Sequence, residues 1–176
     1  ITAANLPNLV YTPAANANGP ARSTFSFKVN DAAGSGTVAA LMTINITAVN
    51  DAPIRTAGTL TPINVNEDSA NSAAVTLGLG AVTYGPGGGP DEGSQTLTYT
   101  VTAIPAFVQI FQADGTTPVL VNDTVTGVEL QGLKYKTLAD ANGTGNLTWT
   151  VADNGSPVQT LTENLASTVN AVNDAP

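Results

Sequence analysis

The chain has 176 residues, 13 acidic against 5 basic for a net charge of −8, and neither histidine nor cysteine. The negative sign excludes nucleic acid, which needs a basic stripe, and electrostatic docking on anionic lipid; the missing cysteine excludes a disulfide framework and a thiolate metal site. No apolar run approaches the ~20 residues of a membrane span, and the opening Ile1-Thr2-Ala3-Ala4-Asn5 is no basic and apolar leader, so an export signal or anchor is expected outside these residues.

In chain order the predicted elements are strands. Ile1–Tyr11 reads as the first; Thr24-Phe25-Ser26-Phe27-Lys28-Val29 then alternates so that Phe25, Phe27 and Val29 share one face, and Met42, Ile44 and Ile46 do the same. Shorter strands follow near 62–66, 73–79, 95–101 (Leu97, Tyr99 and Val101 inward), 107–111, 118–121 and 124–135. The last pair is 146–151, with Leu147, Trp149 and Val151 inward, and a strand through Leu165, Ser167 and Val169. Turn signals separate them: Gly85-Pro86-Gly87-Gly88-Gly89-Pro90, which reads as a flexible surface loop, then Asp114-Gly115, Asn142-Gly143 and Asn154-Gly155. No segment of ten or more residues keeps a helical apolar stripe. Many short strands between regularly spaced turns make an all-β, antiparallel two-sheet sandwich.

The chain also repeats itself. Val49-Asn50-Asp51-Ala52-Pro53 recurs as Val172-Asn173-Asp174-Ala175-Pro176, 123 residues on, and the flanks agree. Leu6, Leu9 and Tyr11 match Leu130, Leu133 and Tyr135; Ala17-Asn18-Gly19 matches Ala141-Asn142-Gly143; Phe25, Phe27, Val29 and Asp31 match Leu147, Trp149, Val151 and Asp153. Residues 54–176 are therefore expected to form one complete repeat and 1–53 the closing strands of another, completed by a neighbouring copy or by further sequence. A half-sandwich leaves its inner face and sheet edges bare.

These residues resemble the cadherin-like repeats that stand in tandem in large bacterial surface and adhesin proteins. The resemblance rests on the recurring Val-Asn-Asp-Ala-Pro, on Val151-Ala152-Asp153-Asn154-Gly155-Ser156-Pro157, and on Leu9-Val10-Tyr11-Thr12-Pro13 followed by Gly19 and Phe25-Ser26-Phe27. It implies an immunoglobulin/cadherin-like sandwich in tandem, at the bacterial cell surface or otherwise extracellular, with neighbouring repeats of the same protein as partners and fibres as one mode of assembly. It also implies Ca2+ at the junctions, where carboxylates, Asn side chains and carbonyls can supply the six to eight oxygens that ion takes. Carried over by position, Asn50, Asp51, Asp91 and Asp153 are the ligands of the inner junction, and Glu67, Asn173 and Asp174 those of the next. The family's Asp-Arg-Glu triplet is replaced by Lys136-Thr137-Leu138-Ala139-Asp140, or Thr12-Pro13-Ala14-Ala15-Asn16 in the first copy, leaving at most Asp140 or Asn16 of it. Two readings of the linker stand side by side: a calcium joint, or an Asx turn stiffened by proline without metal.

The expected function is that of a non-enzymatic structural or adhesive spacer. With no histidine or cysteine, the commonest general base and the best nucleophile are both missing. The alternative is a carbohydrate-binding module of a secreted protein, for which Tyr84 is the aromatic expected at the surface, while Trp149 is expected in the core.

Overall fold

The computed structural model of the chain describes residues 1–31, 34–36, 38–69 and 72–174, so that Ala175 and Pro176 of the second Val-Asn-Asp-Ala-Pro lie outside them. The chain divides into two compact units, Ile1–Val49 with Gly89–Asp91, and Asn50–Gly88 with Glu92–Pro176.

The first unit opens on a 3-10 turn, Ala3–Asn8, where a strand was expected. Pro7 offers no N–H to a ladder, and local bonds from Asn5 N to Thr2 O and from Leu9 N to Leu6 O close the turn instead. Strands β1 (Gly19–Phe27) and β4 (Ala40–Ile46) then pair antiparallel, with a short β2–β3 pair (Asn30–Asp31 and Gly34–Ser35) between them. Phe25 and Phe27 stack at 6.1 Å between ring centroids, but Val29 falls beyond the end of β1 and is exposed, not inward.

The second unit is an all-β sandwich. Its strands are β5 (Ile54–Ala57), β6 (Ile63–Asn66), β7 (Val75–Thr76), β8 (Thr83–Gly85), β9 (Thr98–Ala103), β10 (Val108–Phe111), β11 (Pro118–Val119), β12 (Thr124–Val125), β13 (Lys134–Thr137), β14 (Gly143–Ala152) and β15 (Thr160–Asn170). One sheet has the order β11-β10-β13-β7, the other β12-β9-β14-β15-β6, and β5 pairs with β8. Among the described residues all pairs are antiparallel except β15 with β6, which run parallel from Ser167↔Ile63 to Asn170↔Asn66.

Alternation fixes which face is buried. In β14 the side chains of Leu147, Trp149 and Val151 are buried while their neighbours are not, and β15 does likewise with Leu165, Ser167 and Val169. Facing them across the sandwich are Ile110 and Tyr135 of the other sheet, with Leu77, Leu79 and Leu133 from the connections.

Residues 124–135, expected as one strand, instead form β12, a helical turn α1 (Gly127–Gly132) and β13. A capping box decides this: Glu129 N donates to Thr126 Oγ1 (3.2 Å) and Thr126 N donates to Glu129 Oε2 (2.7 Å), which turns the backbone away from β12. The turn then drives Leu130 and Leu133 into the core. Thr126→Ala is expected to destabilise the unit by about 1 kcal/mol, a few degrees in a circular-dichroism melt.

The two hairpins share a register. Sequence alignment equates Phe25 with Leu147 and Met42 with Leu165; in the structure Phe25 faces Met42 and Leu147 faces Leu165. Gly19 faces Ile46 as Gly143 faces Val169, and Phe27 faces Ala40 as Trp149 faces Glu163. The residue at the left-handed turn before each hairpin matches too, Asn16 at φ 56° and Asp140 at φ 54°.

Candidate functional site

The linker residues Asn50 and Asp51 belong to the second unit, and each is engaged by side chains distant in sequence. Asn50 Nδ2 donates to Asp153 Oδ2 (3.0 Å) and to the carbonyl of Pro157 (2.8 Å), while its Oδ1 accepts from Gln95 Nε2 (2.6 Å). Asp153 is buried, and its Oδ1 accepts from the backbone N–H of both Gly155 and Gln159, each at 3.0 Å. Burial pushes the Asp153 carboxyl up, but the bonds from Gln159, Asn50 and Gly155 outweigh it and hold the group below its ordinary range. Both oxygens of Asp153 and the amide of Asn50 are thus already used in closing the 153–159 loop onto the linker.

Asp51 has a different partner. Its backbone N–H donates to Glu92 Oε1 (2.6 Å), and Glu92 is 2% exposed. The other oxygen, Glu92 Oε2, is buried without a hydrogen-bond partner, as is Gln95 Oε1. Gly88, at φ +62°, sits over this carboxylate: the point a Cβ on it would occupy lies 2.6 Å from Asp51 Oδ2 and 2.6 Å from Glu92 Oε2. Gly87 has the same constraint, since a Cβ there would collide with Ala52 O. The glycine-rich stretch, expected to be a free surface loop, therefore packs closely on the linker at Gly87 and Gly88, where no larger residue fits.

A buried carboxylate oxygen without a donor is costly, and the cost is relieved by a cation or by ordered water. The two oxygens brought together here, Asp51 Oδ2 and Glu92 Oε2, are hard donors. That set suits a group-2 cation and not a soft one.

Asp91 lies in the first unit, where the point a Cβ on Gly89 would take is 3.0 Å from both Asp91 Oδ1 and Asn16 O. Sequence reasoning chose Asp91 and passed over its neighbour Glu92. The 3-10 turn Pro90–Glu92 decides which of two adjacent carboxylates turns inward, and nothing in the local residue pattern announces that turn's orientation.

Among the second set, Glu67 is buried, its Oε1 accepting from Val172 N (2.6 Å) and its Oε2 from Asn142 Nδ2 (3.1 Å). Asn173 turns back onto its neighbour, Nδ2 donating to Asp174 O (3.2 Å). Asp174 meets Asp68 and Asp140, with one oxygen of each within 4.8 Å of the others and all three exposed. Lost hydration, then repulsion from Asp140, Asp68 and Glu67, raises the Asp174 carboxyl above its ordinary range. Asp68 was missed in the sequence, although it directly follows Glu67.

Tyr84, expected at the surface, is half-buried in edge contact with Tyr99, 5.7 Å between centroids. Burial, with Glu163 second, pushes its hydroxyl up to about 12, the nearby Trp149 opposing; neither the Tyr84 hydroxyl nor Trp149 Nε1 closes a bond of good geometry. Trp149 is 1% exposed, as expected of a core residue. Arg55 pairs at 3.4 Å with Glu163, which lies on the same face of β15 as Leu165. Among the described residues no helix is long and apolar enough to cross a membrane. No protein-family model matches the chain, and no curated protein matches its sequence.

Proposed function

We propose that the chain is a structural spacer from an extracellular bacterial surface protein or fibre, built of cadherin-like repeats and without enzymatic activity, in which Ca2+ stiffens the linkers. One observation carries the reading: the same hairpin occurs twice in the same register, each copy followed by the same Asn-Asp linker. Duplication of a supersecondary unit with its linker is the signature of an array, whose work is to hold distance and shape.

The calcium part is supported by the orphaned Oε2 of Glu92 beside Asp51. Here Asp51 and Glu92 are the anionic ligands, while Asn50 and Asp153 act from behind by fixing the linker in place. At the far end Asp68, Asp140 and Asp174 repel one another, and a divalent ion would relieve that repulsion. The Asp174 carboxyl, raised by lost hydration and then by its acidic neighbours, must be ionised to take part, so affinity at that end falls as the medium is acidified through its pKa.

Calorimetry of the full chain, stripped of metal and titrated with Ca2+, tests the ion. At free calcium one hundred times Kd the stabilisation is expected to be about 2.7 kcal/mol. Glu92→Gln, which keeps the shape and removes the charge, is expected to weaken binding by ~10-fold or more, about 1.4 kcal/mol. A melt that does not respond to calcium removes the ion and leaves the spacer. The spacer itself is tested in the native host: an antibody against the chain should label intact cells, and label confined to the cell interior would refute it.

A further inference from the structure

Among the described residues the second unit buries three carboxylates, Glu67, Glu92 and Asp153, and each of them holds a linker residue. Glu92 takes the Asp51 N–H, Asp153 the Asn50 amide and Glu67 the Val172 N–H. A carboxylate out of water is costly unless donors stand in for its hydration. Each oxygen of Glu67 has one: Oε1 accepts from Val172 N at 2.6 Å and Oε2 from Asn142 Nδ2 at 3.1 Å, so neither is left over as Glu92 Oε2 is.

The backbone explains why a side chain is needed there. The parallel pairing of β6 with β15 runs to Asn66↔Asn170, and Glu67 N continues it onto Asn170 O at 2.9 Å. The next rung of a parallel ladder would carry the Val172 N–H to the Glu67 carbonyl. But the chain turns away after Glu67: Asp68 stands at φ 65°, and Ser69 reaches back to Asn66 O with both its N–H (3.4 Å) and its hydroxyl (2.5 Å). The Glu67 carboxylate takes that rung in place of the carbonyl. Its second oxygen reaches Asn142, the residue before β14, so one buried group ties the end of β6, the start of β14 and the chain just after β15.

We propose that Glu67 is a clasp for the linker that begins at Val172: N–H donors of the protein alone fix where the chain leaves the sandwich, whether or not a cation is present. The resemblance to cadherin-like repeats made Glu67 a calcium ligand. As a clasp it has both oxygens engaged by the protein, and a cation takes it only by displacing those donors and stranding the Val172 N–H. Each unit thus sets the direction of its following linker by itself. The clasp rests on the spacer reading in that Val172 opens a linker there; it is independent of the ion.

The test is residue-resolved amide exchange on the full chain, in chelator and in excess Ca2+, read as the rate at Val172 relative to the mid-strand amides of β15. In the unaltered chain Val172 is expected to be protected equally in both media. Glu67→Ala removes both acceptors and is expected to speed Val172 ~10-fold or more relative to β15, again in both media. Glu67→Gln restores an oxygen for the Val172 N–H, and its amide can donate to Asn142 once that side chain turns its oxygen inward, so most of the protection is expected to return. A ratio that Glu67→Ala leaves unchanged overturns the clasp. So does protection of Val172 that appears only with Ca2+, and so does protection that Ca2+ abolishes, which makes Glu67 a ligand of the ion. Should Glu67→Ala melt too low for the comparison, the unaltered chain in the two media decides. The calcium-dependent melt of the spacer reading can fail while Val172 stays protected in chelator, so the two failures are told apart.

Discussion

Trp149→Ala lowers the unfolding midpoint of the second unit by on the order of 10–20 °C, from a loss of about 3–5 kcal/mol. The size of the effect follows from where the ring sits. Trp149 is the largest of the fully buried side chains, between Leu147 and Val151 on β14. Removing it leaves a cavity that strands on either side are too constrained to close. Trp149→Phe is expected to cost much less, since it keeps an aromatic ring and removes the indole N–H that finds no partner. The matched position in the first unit provides the contrast. Phe27 is only half-buried, and Phe27→Ala should leave the second unit's transition, followed by calorimetry, where it was.

Asp153→Ala is the second large effect, expected at about 2–4 kcal/mol, because it strands the N–H groups of Gly155 and Gln159 and frees the Asn50 amide. Asp153→Asn separates charge from shape: its carbonyl can still accept from both backbone groups, but its amide meets Asn50 Nδ2 donor to donor, so about half the loss is expected. The carboxyl's folded pKa is depressed, so its contribution is fully present above the unfolded value near ~3.9 and is lost as pH falls through the folded pKa. Acid titration of stability should therefore be shallower in Asp153→Asn than in the unaltered chain, and an identical slope would show that Asp153 is not a source of the acid response.

The sandwich was legible because period-two burial is a property of the strand itself: Leu147, Trp149, Val151 and Leu165, Val169 declare their face without reference to anything distant. The correspondence of the two hairpins could be read because the sequence repeats, one copy checking the other, but which residues face one another across each hairpin came only with the structure. Where local chemistry competed with alternation, apolar content misled. Leu130 and Leu133 look like strand residues until Thr126 and Glu129 are recognised as a capping box three apart, a signal present in the chain and overridden by the apolar run. Linker residues were found by type, but not the roles they share. Asn50 and Asp153 are 103 positions apart and satisfy each other, and that follows only from how β14 and the 153–159 loop return to the linker. Glu92 and Gly88 became visible only once Asp51 was seen to rest on them.

The parallel pairing of β6 with β15 decides how the unit bears tension. Its second strand, β6, and its last, β15, lie side by side and point the same way. Once a pull on the two ends has drawn β5 off β8, β6 is drawn backward and β15 forward, so the bonds between them are loaded in shear and must fail together; in a hairpin pulled open at one end they would yield singly. Asn170 reinforces that seam, its Nδ2 reaching Asn64 Oδ1 at 2.8 Å and Val65 O at 3.2 Å, and Glu67 N closes it on Asn170 O at 2.9 Å. Beyond β5, the load therefore meets a seam that yields only as a whole.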